Sequence, residues 1–142
     1  SQDTFLIEGS IKENILLGTE QDFDKEKFQF SLNFSMVQDF LNLLPDGIDT
    51  LMVTNSKTIS SGQKQRIAIA RQIYADREIL IFDEATNALD SKTELEILET
   101  IFSVKEKTMI IIAHHFTEWR NCDKIYKLEN KTLKETNDFK YS

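Results

Sequence analysis

Ile79-Leu80-Ile81-Phe82-Asp83-Glu84 puts four consecutive apolar residues ahead of two acids. A short, unbroken apolar run of this kind predicts a strand of a parallel sheet buried on both faces. The pattern returns at Met109-Ile110-Ile111-Ile112, which leads to His114. Between the two runs, Ser91-x-x-Glu94 predicts a capped helix carrying Leu95, Leu98 and Phe102. Strand, helix and strand in this order imply a right-handed parallel crossover and place the chain in the α/β class.

Ligand sites in open parallel sheets lie beyond the carboxyl ends of the strands, so Asp83, Glu84 and His114 are expected at one edge. A carboxylate there can hold Mg²⁺ directly or through water, and its neighbour can orient an attacking water. The alternative is that Asp83-Glu84 only ends a strand and starts a turn. Upstream, Ile59-Ser60-Ser61-Gly62-Gln63-Lys64-Gln65-Arg66 feeds a predicted helix that runs to about Ala75, with Ile69 and Ile73 on one face. Free backbone N–H groups at such a start attract an anion, phosphate above all. Its alternative is a plain serine cap.

Further upstream the pattern is helical. Thr4 to Leu17 holds Phe5-Leu6-Ile7, a Gly9-Ser10 break and a Ser10/Glu13 capping box before Ile11, Ile15 and Leu16. From Asp24 to Leu44, Phe28 and Leu32 share one face, and Ser35-x-x-Gln38 predicts a cap for a second helix bearing Val37, Leu41 and Leu44. Pro45-Asp46-Gly47 ends that unit. Downstream, Ile125–Leu128 and Thr132–Lys134 predict a hairpin around Glu129-Asn130-Lys131, although the turn lacks glycine. Glu135–Ser142 reads as a frayed polar tail.

Composition excludes several classes. The 142 residues are 40% apolar and 29% charged, with one Pro and four Gly, as in an ordinary folded domain. A chain of this length can bury roughly 70% of its unfolded surface. The longest apolar run, Met109–Ala113, falls far short of the roughly 20 residues that span a bilayer. A net charge of −7, with no clustered Lys and Arg, argues against nucleic-acid binding. The single Cys122 excludes an internal disulfide and zinc spacing is absent, so a reducing, cytosolic setting is expected; no export leader is visible.

Taken together, these motifs resemble those of ABC ATPases. Ser60-Ser61-Gly62-Gln63 looks like the signature Leu-Ser-Gly-Gly-Gln, Ile79 to Glu84 like the Walker B strand, and Asn87-Ala88-Leu89-Asp90 like the D-loop, while His114 sits at the switch-histidine position. Gln2-Asp3-Thr4-Phe5-Leu6 and the segment to Ile15 resemble the Q-loop region of exporter-type nucleotide-binding domains, and Pro45 to Thr50 matches their helical subdomain. The resemblance implies an incomplete P-loop NTPase (RecA-like) parallel sheet with an inserted small α-helical subdomain. Residues 1–78 would hold the Q-loop, helical subdomain and signature helix, residues 79–135 the distal half of the core, and residues 136–142 a polar tail.

It also implies roles. Gln2 would contact Mg²⁺ or water near the transmembrane domain, Asp83 would organise Mg²⁺, and Glu84 would be the general base for the water attacking the γ-phosphate of ATP. His114 would contact that phosphate. Asp90 would lie in a loop crossing between subunits, while Ser60, Ser61, Gly62 and Gln63 would reach ATP held by a second, head-to-tail nucleotide-binding domain. The full-length protein would then be an ATP hydrolase at the cytoplasmic face of the inner or plasma membrane, driving export of a lipid, oligosaccharide, drug or peptide.

Four departures stand out. No Gly-x-x-x-x-Gly-Lys-Ser/Thr occurs, so this soluble stretch resembles the carboxyl-terminal part of such a domain and is expected to be inactive alone. Ser61 replaces the first signature glycine, and Thr54 stands where a coupling acid is usual. His115 stands where an Arg is common, and is read as a surface residue. These leave two alternatives open: a degenerate regulatory half-site, and a soluble ABC ATPase without a transport role.

Overall fold

The computed structural model describes residues 5–19, 23–53, 58–104, 107–112 and 121–136. Gln2, Thr54, His114, His115 and residues 137–142 of the expected tail lie outside them. The chain divides into two compact units, Ser1–Ile112 and Ala113–Ser142.

The first unit opens with β1 (Gly9–Ser10), whose antiparallel partner is β2 (Leu51–Met52). Helix α1 (Ile11–Leu16) starts on the expected capping box. The Glu13 N–H donates to Ser10 Oγ at 3.1 Å, and the Ser10 N–H donates to Glu13 Oε2 at 2.6 Å. These bonds satisfy two otherwise orphaned donors and hold the Glu13 carboxyl below its ordinary range. Helix α2 (Lys25–Phe34) is capped by Asp24, whose Oδ1 accepts from the N–H groups of Glu26 and Lys27.

Helix α3 is short, Gln38–Leu41, and its expected cap fails. Ser35 closes α2 instead: it is buried, and its hydroxyl donates to the Ser31 carbonyl at 2.8 Å. A buried hydroxyl must take the nearest acceptor, and here that is the preceding turn. The chain then reverses at Met36 (φ 57°), which puts Val37, with no side-chain cap bond, ahead of α3.

Helix α4 (Ser61–Ala75) is buried on two faces. Ile67, Ala70 and Tyr74 recur at helical spacing and join Ile11, Ile15, Phe28, Leu32, Val37 and Phe40 in one core. Ile69 and Ile73, also buried, lie about a third of a turn further round the helix, and Ile73 shares a cavity wall with Leu80 of β3. The sequence reading found only the Ile69/Ile73 face. Helix α4 therefore stands between the helical layer and the strand layer.

Strand β3 (Ile79–Asp83) pairs in parallel with β4 (Thr108–Ile112), joined through α5 (Ser91–Ser103). The expectation of burial on both faces holds for one face of β3 alone. Leu80 and Phe82 are 1% and 4% exposed, whereas Ile79 and Ile81 are 58% and 56% exposed. Their neighbours Ile110 and Ile112 on β4 are similarly open. The side chains suit a two-sided layer, but the described residues cover one side.

Helix α5 also departs in detail. Asp90, not Ser91, is its cap: Asp90 Oδ1 accepts from the Thr93 N–H at 3.1 Å, and Oδ2 from the Thr93 hydroxyl at 2.7 Å. Its inward face is Ile97, Leu98 and Ile101; Leu95 is exposed and Phe102 half-buried. Ile97 and Ile101 were missed because a one-residue rotation of the stripe fits the sequence almost as well.

In the second unit β5 (Tyr126–Glu129) and β6 (Thr132–Glu135) form the expected antiparallel hairpin, with Glu129 opposite Thr132. Asn130 (φ 49°) and Lys131 (φ 62°) make the two-residue turn in left-handed backbone. Such a turn matches the strand twist, and asparagine tolerates it without glycine.

Candidate functional site

The candidate residues gather where the start of α4 meets the segment after β3. Alternation along β3 puts Asp83 on the same open face as Ile79 and Ile81. At Glu84 the backbone turns left-handed, φ 49°, while its N–H still donates to the Ile112 carbonyl at 2.8 Å. The strand ladder thus extends one residue past β3 before the chain breaks away. A non-glycine residue at positive φ costs energy, and such strain collects at sites whose surroundings hold it in place. Here the hold is visible: Asn87 Nδ2 donates to Glu84 Oε2 at 2.8 Å, and the Asn87 N–H donates to the Glu84 carbonyl at 3.3 Å.

Across from this turn, Ser60 caps α4. Its hydroxyl accepts from the Gln63 N–H at 3.2 Å, and its own N–H donates to Gln63 Oε1 at 2.8 Å. The capping geometry named as the alternative is therefore present. It leaves the N–H groups of the first helical residues, Ser61 and Gly62, facing outward from the helix start, where an anion fits. Ser61 is exposed and Gly62 half-buried.

Gly62 has a specific reason to be glycine. A Cβ there would lie 2.9 Å from the Ala88 carbonyl oxygen, closer than side-chain carbons approach backbone oxygens. The same helix face sends Gln65 to that loop, where its Oε1 accepts from the Ala88 N–H at 3.0 Å and its Nε2 donates to the Glu84 carbonyl at 3.4 Å. One turn on, the Arg66 guanidinium lies 4.7 Å from the Phe40 ring centre and 4.0 Å from Asp39. Burial lowers its pKa, and Asp39 and Asp90 pull the other way. Asp90 is held well below its ordinary value, chiefly by the Thr93 hydroxyl and N–H.

Asp83, Glu84, Asp90 and the Ser60–Gln63 turn are therefore on one connected patch of the first unit. Gln65 and Asn87 were not among the residues expected to matter. The signal available for Gln65 was its spacing of three from Gly62, which places both on one helix face.

The residues fit the groups the resemblance implies only in part. Among the described residues, no three His, Cys, Asp or Glu are placed to hold a metal by themselves. Mg²⁺ commonly uses one or two carboxylates and takes its other ligands from phosphate and water, and Asp83 can supply one.

Comparison with known proteins agrees with the motifs. The family model described as ABC transporter matches residues 1–87. The Lactococcin-G-processing and transport ATP-binding protein LagD of Lactococcus lactis subsp. lactis is 39% identical over 132 residues, 93% of this chain and 19% of that protein. The ATP-dependent lipid A-core flippase of Pseudoalteromonas translucida is 37% identical over 139 residues, 97% of this chain and 24% of its own length. A solved bacterial Atm1-family ABC exporter with ATP bound superimposes with a TM-score of 0.83 at 36% identity, covering 93% of this chain and 23% of the other. The chain spans about a fifth to a quarter of the relatives it matches. With the strand, turn and capped-helix geometry in agreement, it belongs to the ABC transporter family and corresponds to part of a nucleotide-binding domain.

Proposed function

We propose that the chain is the carboxyl-terminal part of the ATP-hydrolysing motor domain of an ABC exporter, working at the cytoplasmic face of a membrane against a transmembrane domain. The observation that carries this is the juxtaposition of Glu84, held at the end of β3 by Asn87 and the Ile112 carbonyl, with the Ser60-capped start of α4. Asp83 would supply a carboxylate to Mg²⁺, whose charge would offset that developing on the transferred phosphate. Glu84 would accept the proton of the attacking water, and Asn87 would aim its carboxylate. His114 and Gln2 would complete the phosphate and metal contacts. Ser60, Ser61, Gly62 and Gln63 would face ATP bound on a second, head-to-tail nucleotide-binding domain, with Asp90 in the crossing loop.

Glu84→Gln in the full-length protein is the direct test. It should keep ATP binding and lower turnover by roughly two orders of magnitude or more, as loss of a general base does. Normal turnover would sink the reading. Ser60→Arg should leave ATP binding to each monomer nearly unchanged and block ATP-driven dimerisation, because a bulky cation would stand where a small donor is needed. The 142-residue chain alone, lacking a phosphate loop, should not hydrolyse ATP.

The degenerate half-site is the second reading, and Ser61 is the observation behind it. Ser61 lies exposed at the first helical position, whereas the glycine that packs against Ala88 is Gly62, which is present. An exposed side chain at this position leaves the partner's phosphate as the place where a defect would arise. Ser61→Gly raises turnover if that defect exists.

A further inference from the structure

Gly62 and Gln65 lie three apart on α4, and both touch the turn that runs from Glu84 to Ala88. The turn presents an acceptor at one end, the Glu84 carbonyl, and a donor at the other, the Ala88 N–H. A primary amide carries one of each, and Gln65 matches them in the only orientation that satisfies both. The Gly62 contact sets the distance: without a Cβ the helix sits close enough for a side chain of glutamine length to bridge. Asn87 acts on the same turn from within, through the Glu84 carboxylate.

We propose that Gln65 is a positioning residue, a two-ended clasp that fixes the Glu84–Ala88 turn to the start of α4 and so couples the Glu84 carboxylate to the Ser60–Gln63 helix start. The contact stands on the geometry, while its effect on turnover rests on the proposed function. If Glu84 serves ATP in this chain's own site and Ser60 serves ATP on the partner, Gln65 is the side chain through which the two are held in register.

The clasp is tested in two assays. In the 142-residue chain, amide exchange at Ala88 should speed up by about tenfold in Gln65→Leu, the expected effect of one lost hydrogen bond. Gln65→Glu keeps an acceptor for that N–H but sets a carboxylate oxygen against the Glu84 carbonyl, so its exchange should fall between those of the parent and Gln65→Leu. In the full-length transporter, Gln65→Leu should lower kcat by about tenfold with KM for ATP changed less than about twofold, since both ends of its amide are engaged by the Glu84–Ala88 turn. Gln65→Glu, which has no donor for the Glu84 carbonyl, should not recover the lost kcat. Unchanged Ala88 exchange in Gln65→Leu overturns the clasp outright, and so does parental kcat in Gln65→Glu, which lacks the donor end. Glu84→Gln, run alongside, separates the two readings. If it abolishes turnover while Gln65→Leu keeps parental kcat, the clasp is wrong and the motor stands; if it leaves turnover intact, the motor is wrong while Ala88 exchange still decides the contact.

Discussion

The strand pair is more apolar in sequence than the helical region, yet it is the less enclosed of the two. In the helices, Ile11, Ile15, Val37 and Ile67 are fully enclosed, and even the polar Asn14 is out of water. Asn14 Nδ2 donates to the carbonyls of Ile7 and Ser10, and its Oδ1 accepts from the Ile7 N–H and from Arg71. Arg71 also donates to the carbonyls of Asn14 and Phe5, tying the first described segment to α4 at the cost of a guanidinium whose pKa burial lowers. In the strand pair, Ile79, Ile81, Ile110 and Ile112 form an open apolar face. Local sequence can specify the apolar character of a strand, but covering both faces takes elements from elsewhere in a protein.

The contrast is broken most directly by two matched truncations. Ile67→Ala should destabilise the chain by about 2–5 kcal/mol, the usual range for emptying a packed isoleucine site. Ile81→Ala should fall within about 0.5 kcal/mol of the parent, as at other exposed positions. Equal losses in urea denaturation would show that the open face is packed in solution.

Next in size is the polar centre of the helical region. Asn14→Leu leaves the Ile7 backbone and part of Arg71 without their partners, a loss of about 1–3 kcal/mol. Thermal melts of this variant beside Arg71→Lys, which cannot fork between two acceptors, would show how much of the cost belongs to the Phe5–Ile7 segment.

The open face itself should be adhesive. The chain is expected to form dimers or larger species at high concentration, and Ile81→Lys with Ile110→Lys should return it to a monomer. Sedimentation giving a clean monomer for the parent over a wide concentration range would refute this.

The smallest expected effect is a surface one. Asp76, in left-handed backbone at φ 52°, closes α4 and pairs with Lys107 at 2.6 Å and Lys27 at 3.1 Å. The bond from Lys107, then that from Lys27, depresses its pKa. A depressed folded value means that the stabilisation is present above the unfolded pKa of about 3.9 and is lost as pH falls through the lower folded value. Half-exposed pairs are screened, so the gain is about 1 kcal/mol or less. Asp76→Asn keeps the tolerated backbone, and its melting temperature should lie slightly below the parent's at neutral pH and converge with it in strong acid.

The sequence by itself determined most of the helices and strands and named the candidate site residues. The Ser10/Glu13 box, the serine cap of α4, the two apolar runs, the parallel pairing and the hairpin follow from spacing and turn chemistry, which act over a few residues. The motif order from Ser60 to Asp90 also sufficed to identify the family. Tertiary structure decided the rest. That α4 is buried on two faces and that Ile81 is open depend on which groups arrive from distant parts of the chain, whereas Ser35 ending α2 and Asp90 capping α5 are local bonds, to Ser31 and Thr93, that compete closely with the caps the spacing predicts. The Gly62–Ala88 approach and the Gln65 bridge are of the same kind: they join residues 19 to 26 apart in sequence, and no local pattern encodes a distance that only the packed helix and turn create.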